Sequence, residues 1–327
     1  MALLTVSGIS KQENGKFIVK DIHFTQQPFQ KIAIAGETGS GKTTLLKIIA
    51  GLIQTDAGEI RFENKRVLGP YEKLIPGHPG IAYLSQHFEL RNNYRVEEEL
   101  VSANKLKDGD ATRLYAVCRI EHLLKRKTDQ LSGGERQRIV LAKLLTAFPK
   151  LLLLDEPFSN LDAVHKSIIK SVIHDIGEKL DISCIMVSHD AMDTLSWANT
   201  ILVMRDGQLV QQGTPEQIYK QPVNEYCAGL FGEYNLISSG NAFFLSSIPG
   251  ISINGKQLLI RPEHFNIVEN GSSAINGTIH NILFRGSYYT IDVLVAQQLI
   301  RVKTSSNQFA EGDKVYLSLA PENVWRL

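Results

Sequence analysis

The chain lacks long apolar runs. None of its 327 residues fall in a window approaching the roughly eighteen apolar residues a membrane-spanning helix requires, and the longest runs, Leu151–Leu154 and Ile201–Met204, are strand-sized. Met1 to Val6 have neither a basic n-region nor a long apolar h-region, so no signal peptide is expected. Cysteine is scarce. Cys118, Cys184 and Cys227 are unpaired by spacing and sit in helical or strand patterns, so they read as buried free thiols in a reducing compartment, not as disulfides or metal ligands. Net charge is also small: 35 Lys and Arg against 34 Asp and Glu leave +1, which argues against broad electrostatic binding to nucleic acid. No sustained heptads occur, so a long coiled coil is excluded. What remains is a cytosolic chain long enough for two domains and a substantial core.

Two phosphate grips stand out. Gly36 to Thr43 reads GETGSGKT and fits the pattern G-x-x-x-x-G-K-[ST] in full. It follows the apolar run Ile32–Ala35, a predicted strand, and opens a helical pattern at Leu45, Leu46, Ile48 and Ile49. Gly36, Gly39 and Gly41 let the backbone close around phosphate oxygens with its N–H groups inward, and Glu37, Thr38, Ser40 and Thr44 complete the nucleotide-binding set. Lys42 reaches the β- and γ-phosphates, and the Thr43 hydroxyl is a Mg²⁺ ligand. The second grip is Leu131 to Glu135, LSGGE, where Ser132, Gly133 and Gly134 offer a hydroxyl and bare amides at the start of a predicted helix. Two grips in one chain point to two different nucleotides, and so to a dimer.

Between them in function lies Leu151–Pro157, LLLLDEP. Four apolar residues in a row suit a parallel strand buried on both faces, with Asp155 and Glu156 at its carboxyl end, where ligands of such sheets gather. Asp155 is placed to hold Mg²⁺, and Glu156 to polarise a water for in-line attack on the γ-phosphate.

With these elements in order, the chain resembles the ATP-binding cassette ATPases, the nucleotide-binding subunits of ABC transporters, over roughly residues 1–232. The resemblance identifies Gln86, in Tyr83-Leu84-Ser85-Gln86, as the Q-loop glutamine that contacts Mg²⁺ and water. It makes Ser159-Asn160-Leu161-Asp162 the D-loop, and His189, in Val187-Ser188-His189-Asp190, the H-switch histidine that contacts the γ-phosphate. LSGGE is the most discriminating mark, because many P-loop families share the others. The family usually stacks adenine on an aromatic residue in its first hairpin. Glu13 stands near that site here, and Phe17 is the nearest aromatic, open to two readings: adenine contact or core residue on an alternating segment.

Between Gln86 and the signature, Val96–Leu106 and Ala111–Leu124 have helical periodicity, with Lys107-Asp108-Gly109-Asp110 as the break. The resemblance makes residues 87–130 a helical subdomain in which His87, Phe88 and Leu90–Tyr94 adjoin the docking site of a membrane subunit. Further on, helices are predicted at Ala163–Leu180 and Ala191–Trp197, and a buried strand at Ser183–Val187. A hairpin turns at Arg205-Asp206-Gly207, and a helix capped at Thr214-Pro215 runs to Lys220.

After Gly232 the texture changes. Asn235–Gly255 is rich in Ser, Gly and Asn, and alternating segments follow at 257–260, 277–284, 288–295, 299–302 and 314–319, which predicts a small barrel. Ile260-Arg261-Pro262-Glu263-His264 resembles the IRPE signature of the accessory barrel found in importer ATPases for sugars, polyamines, ferric iron and related oxyanions.

The expected architecture is therefore an α/β P-loop ATPase of the ABC type over 1–232 with an inserted helical subdomain, then an OB-like β-barrel over 233–327. What the resemblance implies is an importer's ATP-hydrolysing subunit, with ATP and Mg²⁺ as cofactors. It would work as a homodimer on the cytoplasmic side of the membrane, attached through permease subunits and serving a solute-binding protein indirectly. Two other readings stand beside it: an ABC ATPase of a translation or DNA-maintenance machine, and a module that senses ATP without hydrolysing it, against which Glu156 argues.

Overall fold

A computed structural model describes residues 1–86, 90–101, 108–159, 161–238, 244–245, 248, 250–251, 255–271 and 274–327. The chain divides into two compact units, Met1–Glu216 and Gln217–Leu327.

The first unit opens with β1 (Leu4–Glu13), β2 (Lys16–Gln26), β3 (Lys31–Ala35) and the helix α1 (Lys42–Ile49). β4 (Ala57–Phe62), β5 (Lys65–Arg66) and β6 (Ile81–Leu84) follow, then α2 (Val96–Val101), α3 (Asp108–Cys118) and α4 (Gly133–Leu145). The rest is β7 (Leu151–Asp155), α5 (Ala163–Lys179), β8 (Ser183–Ser188), α6 (Met192–Leu195), β9 (Thr200–Arg205), β10 (Gln208–Gly213) and α7 (Pro215–Lys220), which crosses the boundary.

Two sheets organise this unit. One is antiparallel, β2-β1-β4-β5; the other has the order β10-β9-β3-β8-β7-β6 and is parallel except for the hairpin strand β10. The hairpin closes on Asp206 and Gly207, both at positive φ (50° and 76°), as a tight two-residue connection between right-twisted strands demands. The run of four leucines in β7 is explained by burial on both faces. Leu151 and Leu153 join the core shared with α1 and the antiparallel sheet, while Leu152 and Leu154 join the core shared with α2–α5. Cys118, Cys184 and Cys227 are all buried free thiols, and burial pushes the first two up to about 12, which leaves them inert.

Three helical expectations need correction. Asp108, Gly109 and Asp110 do not break the chain but form the first turn of α3, where amides have no intrahelical partner and the Asp110 carboxylate suits the helix dipole. Residues 102–107, including the end of the expected Val96–Leu106 helix, lie outside the described residues. The second predicted helix stops at Cys118, and Glu121–Leu123 is a separate 3₁₀ turn following Arg119 at positive φ (55°). Regular helix in the expected Ala191–Trp197 segment is confined to Met192–Leu195, because its ends close with tight i→i−3 bonds, such as Thr194 N to Ala191 O and Trp197 N to Thr194 O.

In the second unit α8 (Glu225–Leu230) precedes β11 (Asn235–Ile237), β12 (Leu258–Ile260), β13 (Phe265–Val268), β14 (Ile275–Phe284), β15 (Tyr289–Val295), β16 (Gln298–Thr304), β17 (Lys314–Leu319) and β18 (Trp325–Arg326). They form a three-stranded sheet, β11-β12-β18, and a five-stranded antiparallel sheet, β13-β17-β14-β15-β16. The two edge strands of the larger sheet, β13 and β16, come into contact, so it curls towards a barrel around Ile279, Ile291, Val293, Ile300, Val302 and Leu317. β11, β13 and β18 had no alternation long enough to be read from sequence. The IRPE arginine, Arg261, is 2% exposed and lies against α7 and α8.

Candidate active site

Strand order assembles the site before any side chain is considered. β3, β8, β7 and β6 are neighbours and parallel, so the segments leaving their carboxyl ends emerge side by side: Gly36–Thr43, His189, Asp155-Glu156 and Gln86.

The Gly36–Thr43 loop turns into α1 at Gly41, whose φ is 93°. A Cβ there would lie 2.3 Å from the Ile18 carbonyl of β2, so both conformation and space demand glycine. Glu37, Thr38 and Gly39 are exposed at the tip, Ser40 and Lys42 are buried, and Thr43 and Thr44 are half-buried. The Lys42 ammonium donates to the Gly36 and Glu37 carbonyls, each at 2.7 Å, and to Ser40 Oγ at 3.3 Å. It is therefore folded into its own loop. Burial lowers its pKa, against the opposing pull of Glu156, Asp155 and Glu37. A buried cation at the base of a glycine-rich loop that opens a helix is a donor suited to a polyphosphate.

Asp155 is 3% exposed and accepts from two hydroxyls, Thr43 Oγ1 (2.9 Å, to Oδ1) and Tyr83 OH (2.7 Å, to Oδ2). Thr43 and Asp155 thus present adjoining hard oxygens, the donor chemistry Mg²⁺ requires. Glu156 has positive φ (48°), uncommon outside glycine, and it is fixed by the bond from its N–H to the Val187 carbonyl (3.0 Å). Three side chains converge on its Oε2, one from its own loop and two from others: Ser159 Oγ at 2.9 Å, Gln86 Nε2 at 3.3 Å and His189 Nδ1 at 3.4 Å. The nucleotide loop, Gln86, Asp155, Glu156 and His189 are thereby brought together.

LSGGE is built differently. Ser132 caps α4: its hydroxyl accepts from the Glu135 N–H (3.3 Å), and the Glu135 carboxylate accepts from the Ser132 N–H (2.8 Å). The serine proton stays available to an anion. Ser132 and Gly133 face solvent, with nothing within 4 Å of a Cβ placed on Gly133. Gly134 is buried, and a Cβ there would meet His165 at 2.7 Å. His165 is itself held by Asp162, the cap of α5, through its N–H (2.9 Å) and Nδ1 (2.7 Å). No described hydrogen bond or ion pair joins Ser132 or Gly133 to the Gly36–Thr43 loop.

Phe17 is not a core residue. It is 45% exposed on β2, next to the Ile18 carbonyl that touches Gly41, and the Lys20 ammonium lies 5.6 Å from its ring. His87, Phe88 and Asn160 lie outside the described residues.

Sequence reasoning missed two contributors and gave a third, Ser159, only as part of the D-loop. Tyr83 was quoted only as part of the glutamine motif, although a hydroxyl-bearing ring in the buried run Ile81–Leu84 is itself a signal of a polar partner. Gln137 of α4 donates to the Pro157 carbonyl (2.6 Å), tying the signature helix to the loop after Glu156. Ser159 contacts Glu156 in its own chain.

Comparison with known proteins identifies the family. The family profile described as "ABC transporter" matches residues 19–159, and that described as "TOBE domain" matches residues 258–327. The chain is 30% identical to the spermidine/putrescine import ATP-binding protein PotA of Spiroplasma citri over 98% of its own length and 96% of that protein. It is 33% identical to the Fe(3+) ions import ATP-binding protein FbpC 2 of Pectobacterium atrosepticum (97% of each chain). Against the sulfate/thiosulfate import ATP-binding protein CysA of Mesostigma viride it is 32% identical (98% and 95%). Among solved structures it resembles cbiO1 of Clostridium perfringens, part of the cbiONQ transporter complex (TM-score 0.58, 25% identity, 66% of this chain and 90% of that one). It also shares its fold with an ATP-binding cassette of an ABC transporter in its ADP conformation (TM-score 0.60, 23% identity, 71% and 100%). With relatives at this identity matched along nearly their whole length, the chain belongs to the ATP-binding proteins of ABC transporters, an ATPase of the P-loop class carrying a C-terminal TOBE domain.

Proposed function

We propose that this ATPase powers an importer from the cytoplasmic face of the membrane, as a homodimer whose two ATP sites each draw on both chains. The observation that carries the reading is the separation of the two grips: a nucleotide loop joined through Asp155 to the loop of Glu156, where Gln86 and His189 also meet, and a solvent-facing Ser132 and Gly133 that cap α4 and, among the described residues, make no hydrogen bond to the nucleotide loop of their own chain. Two copies related by a two-fold axis would bring each LSGGE to the other's Gly36–Thr44 loop.

The residues then divide the chemistry. Lys42 and the amides of residues 36–44 orient the triphosphate, and the exposed Phe17 ring stacks on adenine. Thr43 and Asp155, with Gln86 beside them, would hold Mg²⁺, which when bound offsets the charge on the β- and γ-phosphate oxygens. Glu156 accepts a proton from the attacking water, and His189 orients against the γ-phosphate. Ser132, Gly133 and Gly134 of the partner complete the phosphate shell. ATP does work only insofar as it binds the closed dimer more tightly than the open one. The helical subdomain, around residues 87–130, would pass that motion to permease subunits fed by a solute-binding protein. We assign residues 1–232 to this ATPase module and 233–327 to an accessory barrel that contacts other subunits.

The full-length relatives are named import ATP-binding proteins, which supports the importer reading. The composite site is tested by mixing. Lys42→Ala chains and Ser132→Arg chains are each inactive alone, but a mixed dimer keeps one intact site and recovers part of the ATPase activity. Mixed dimers that form and remain inactive would refute the shared site.

A further inference from the structure

The buried run Ile81–Leu84 carries one hydroxyl, and that hydroxyl is spent on Asp155. Tyr83 OH donates to Oδ2 at 2.7 Å, while Thr43 Oγ1 donates to Oδ1 at 2.9 Å. The carboxylate is 3% exposed, so water does not compete for these positions. With each oxygen held by a different element, β6 on one side and α1 on the other, the plane of the carboxylate is fixed. The Tyr83 ring packs against the core shared by the two sheets, which fixes the phenol in turn. Ser85, adjoining Gln86, hydrogen-bonds the same phenol. A continuous set of contacts therefore runs from the glutamine loop through Ser85 and Tyr83 to Asp155 and across to Thr43.

We propose that Tyr83 is a positioning residue for the divalent cation: it orients Asp155 so that one carboxylate oxygen faces the metal beside Thr43, and it makes that orientation depend on the position of the glutamine loop. This rests on the reading of Asp155 and Thr43 as the metal-holding pair. Partners outside the ligand sphere of this kind set ligand orientation, and their loss weakens metal binding more than it changes other ligands. Removing the phenol costs the carboxylate this orientation. Asp155 is buried, and an oxygen left without its donor there turns to the nearest alternative instead of to water.

The test uses full-length protein and a non-hydrolysable ATP analogue. Mn²⁺ affinity is measured by the loss of the free-ion electron paramagnetic resonance signal, and analogue affinity is measured separately with EDTA present. Tyr83→Phe is expected to weaken Mn²⁺ binding about tenfold, the size of a lost hydrogen bond to a charged group, while affinity for the analogue in EDTA stays at the wild-type value. Tyr83→Met, which fills the same space with a flexible chain, should behave alike if the phenylalanine variant is poorly folded. Asp155→Asn is the companion: retention of full Mn²⁺ affinity in that variant would remove the underlying reading of Asp155. Loss in Asp155→Asn together with unchanged or tighter Mn²⁺ binding in both Tyr83 variants would overturn the proposal alone.

Discussion

Replacing Arg261 by methionine should unfold the C-terminal unit at a markedly lower temperature. The guanidinium is 2% exposed and has four backbone carbonyls around it: Nη1 donates to Ala228 (3.0 Å), Gly232 (3.1 Å) and Glu233 (3.1 Å), and Nη2 donates to Tyr219 (3.1 Å). It also stacks on the Tyr219 ring at 4.2 Å, and the Tyr219 hydroxyl in turn bonds Glu263. Burial lowers the arginine's pKa, opposed by Tyr219, Glu263 and Tyr234, but from so high a starting value that it stays charged. Methionine keeps much of the packing and removes every donor, leaving four carbonyls to find other partners. At about 1 kcal/mol for each orphaned acceptor the loss is about 4 kcal/mol, within the range seen when a buried ion's partners are stranded. For a unit of this size each kcal/mol moves the midpoint by roughly 4 °C, so a fall of about 16 °C is expected. Scanning calorimetry of the full chain reads it, because nucleotide raises the transition of the ATP-binding unit and not the other. Tryptophan fluorescence adds a local probe, since Trp325 bonds the Pro222 carbonyl in the C-terminal unit (2.8 Å) while Trp197 lies in the first. A shift under about 5 °C, or one confined to the nucleotide-responsive transition, would refute the clamp.

Two further outcomes are expected. Glu156→Gln removes the proton acceptor while keeping a polar group beside Ser159 and His189; steady-state ATPase should fall by at least about a hundredfold while ATP still drives dimer formation, and near-normal turnover would exclude Glu156 as the base. Glu99 of α2 is wholly buried, and burial acts to raise its carboxyl, but bonds from Lys143 (2.7 Å) and from Arg91 (2.8 Å from Nε, 2.9 Å from the amide) outweigh this and hold it below the ordinary range. A depressed carboxylate stabilises the fold above its unfolded pKa and loses that contribution as pH falls through its folded value. The stability advantage of wild type over Glu99→Gln in urea should therefore be clear at pH 7 and shrink towards about pH 4; an advantage independent of pH would contradict the pairing.

Much of the nucleotide site was legible because its chemistry is local. Gly36–Thr43 must be contiguous to wrap a phosphate, and Asp155-Glu156 must follow an apolar strand to stand at a sheet's carboxyl end, so both left an uninterrupted pattern. The helix start at LSGGE was equally short-range, while its capping box between Ser132 and Glu135 came only from the structure. Other features gave no such pattern. Phe17 sits on an alternating segment, and only the packing of β2 against Gly41 separates an exposed ring from a core one. Asp108–Asp110 has the composition of a turn, and the helix dipole and unpaired first-turn amides made it a helix start.

From its sequence alone this protein read as an ATPase of the ABC family, with candidate phosphate-binding, metal-binding and proton-accepting residues. These depend on residue types at fixed short spacings, which the order of the chain itself supplies. Only the tertiary structure decided that Gln86, Ser159 and His189 meet on one oxygen of Glu156, that Tyr83 holds Asp155, and that the IRPE arginine is a buried clamp on α7 and α8. The reason is physical. Those contacts join residues up to 72 positions apart, from Tyr83 to Asp155, and those of the ATP-binding unit depend on which strands became neighbours in the sheet, a choice made by the burial of both its faces and recorded in no single segment.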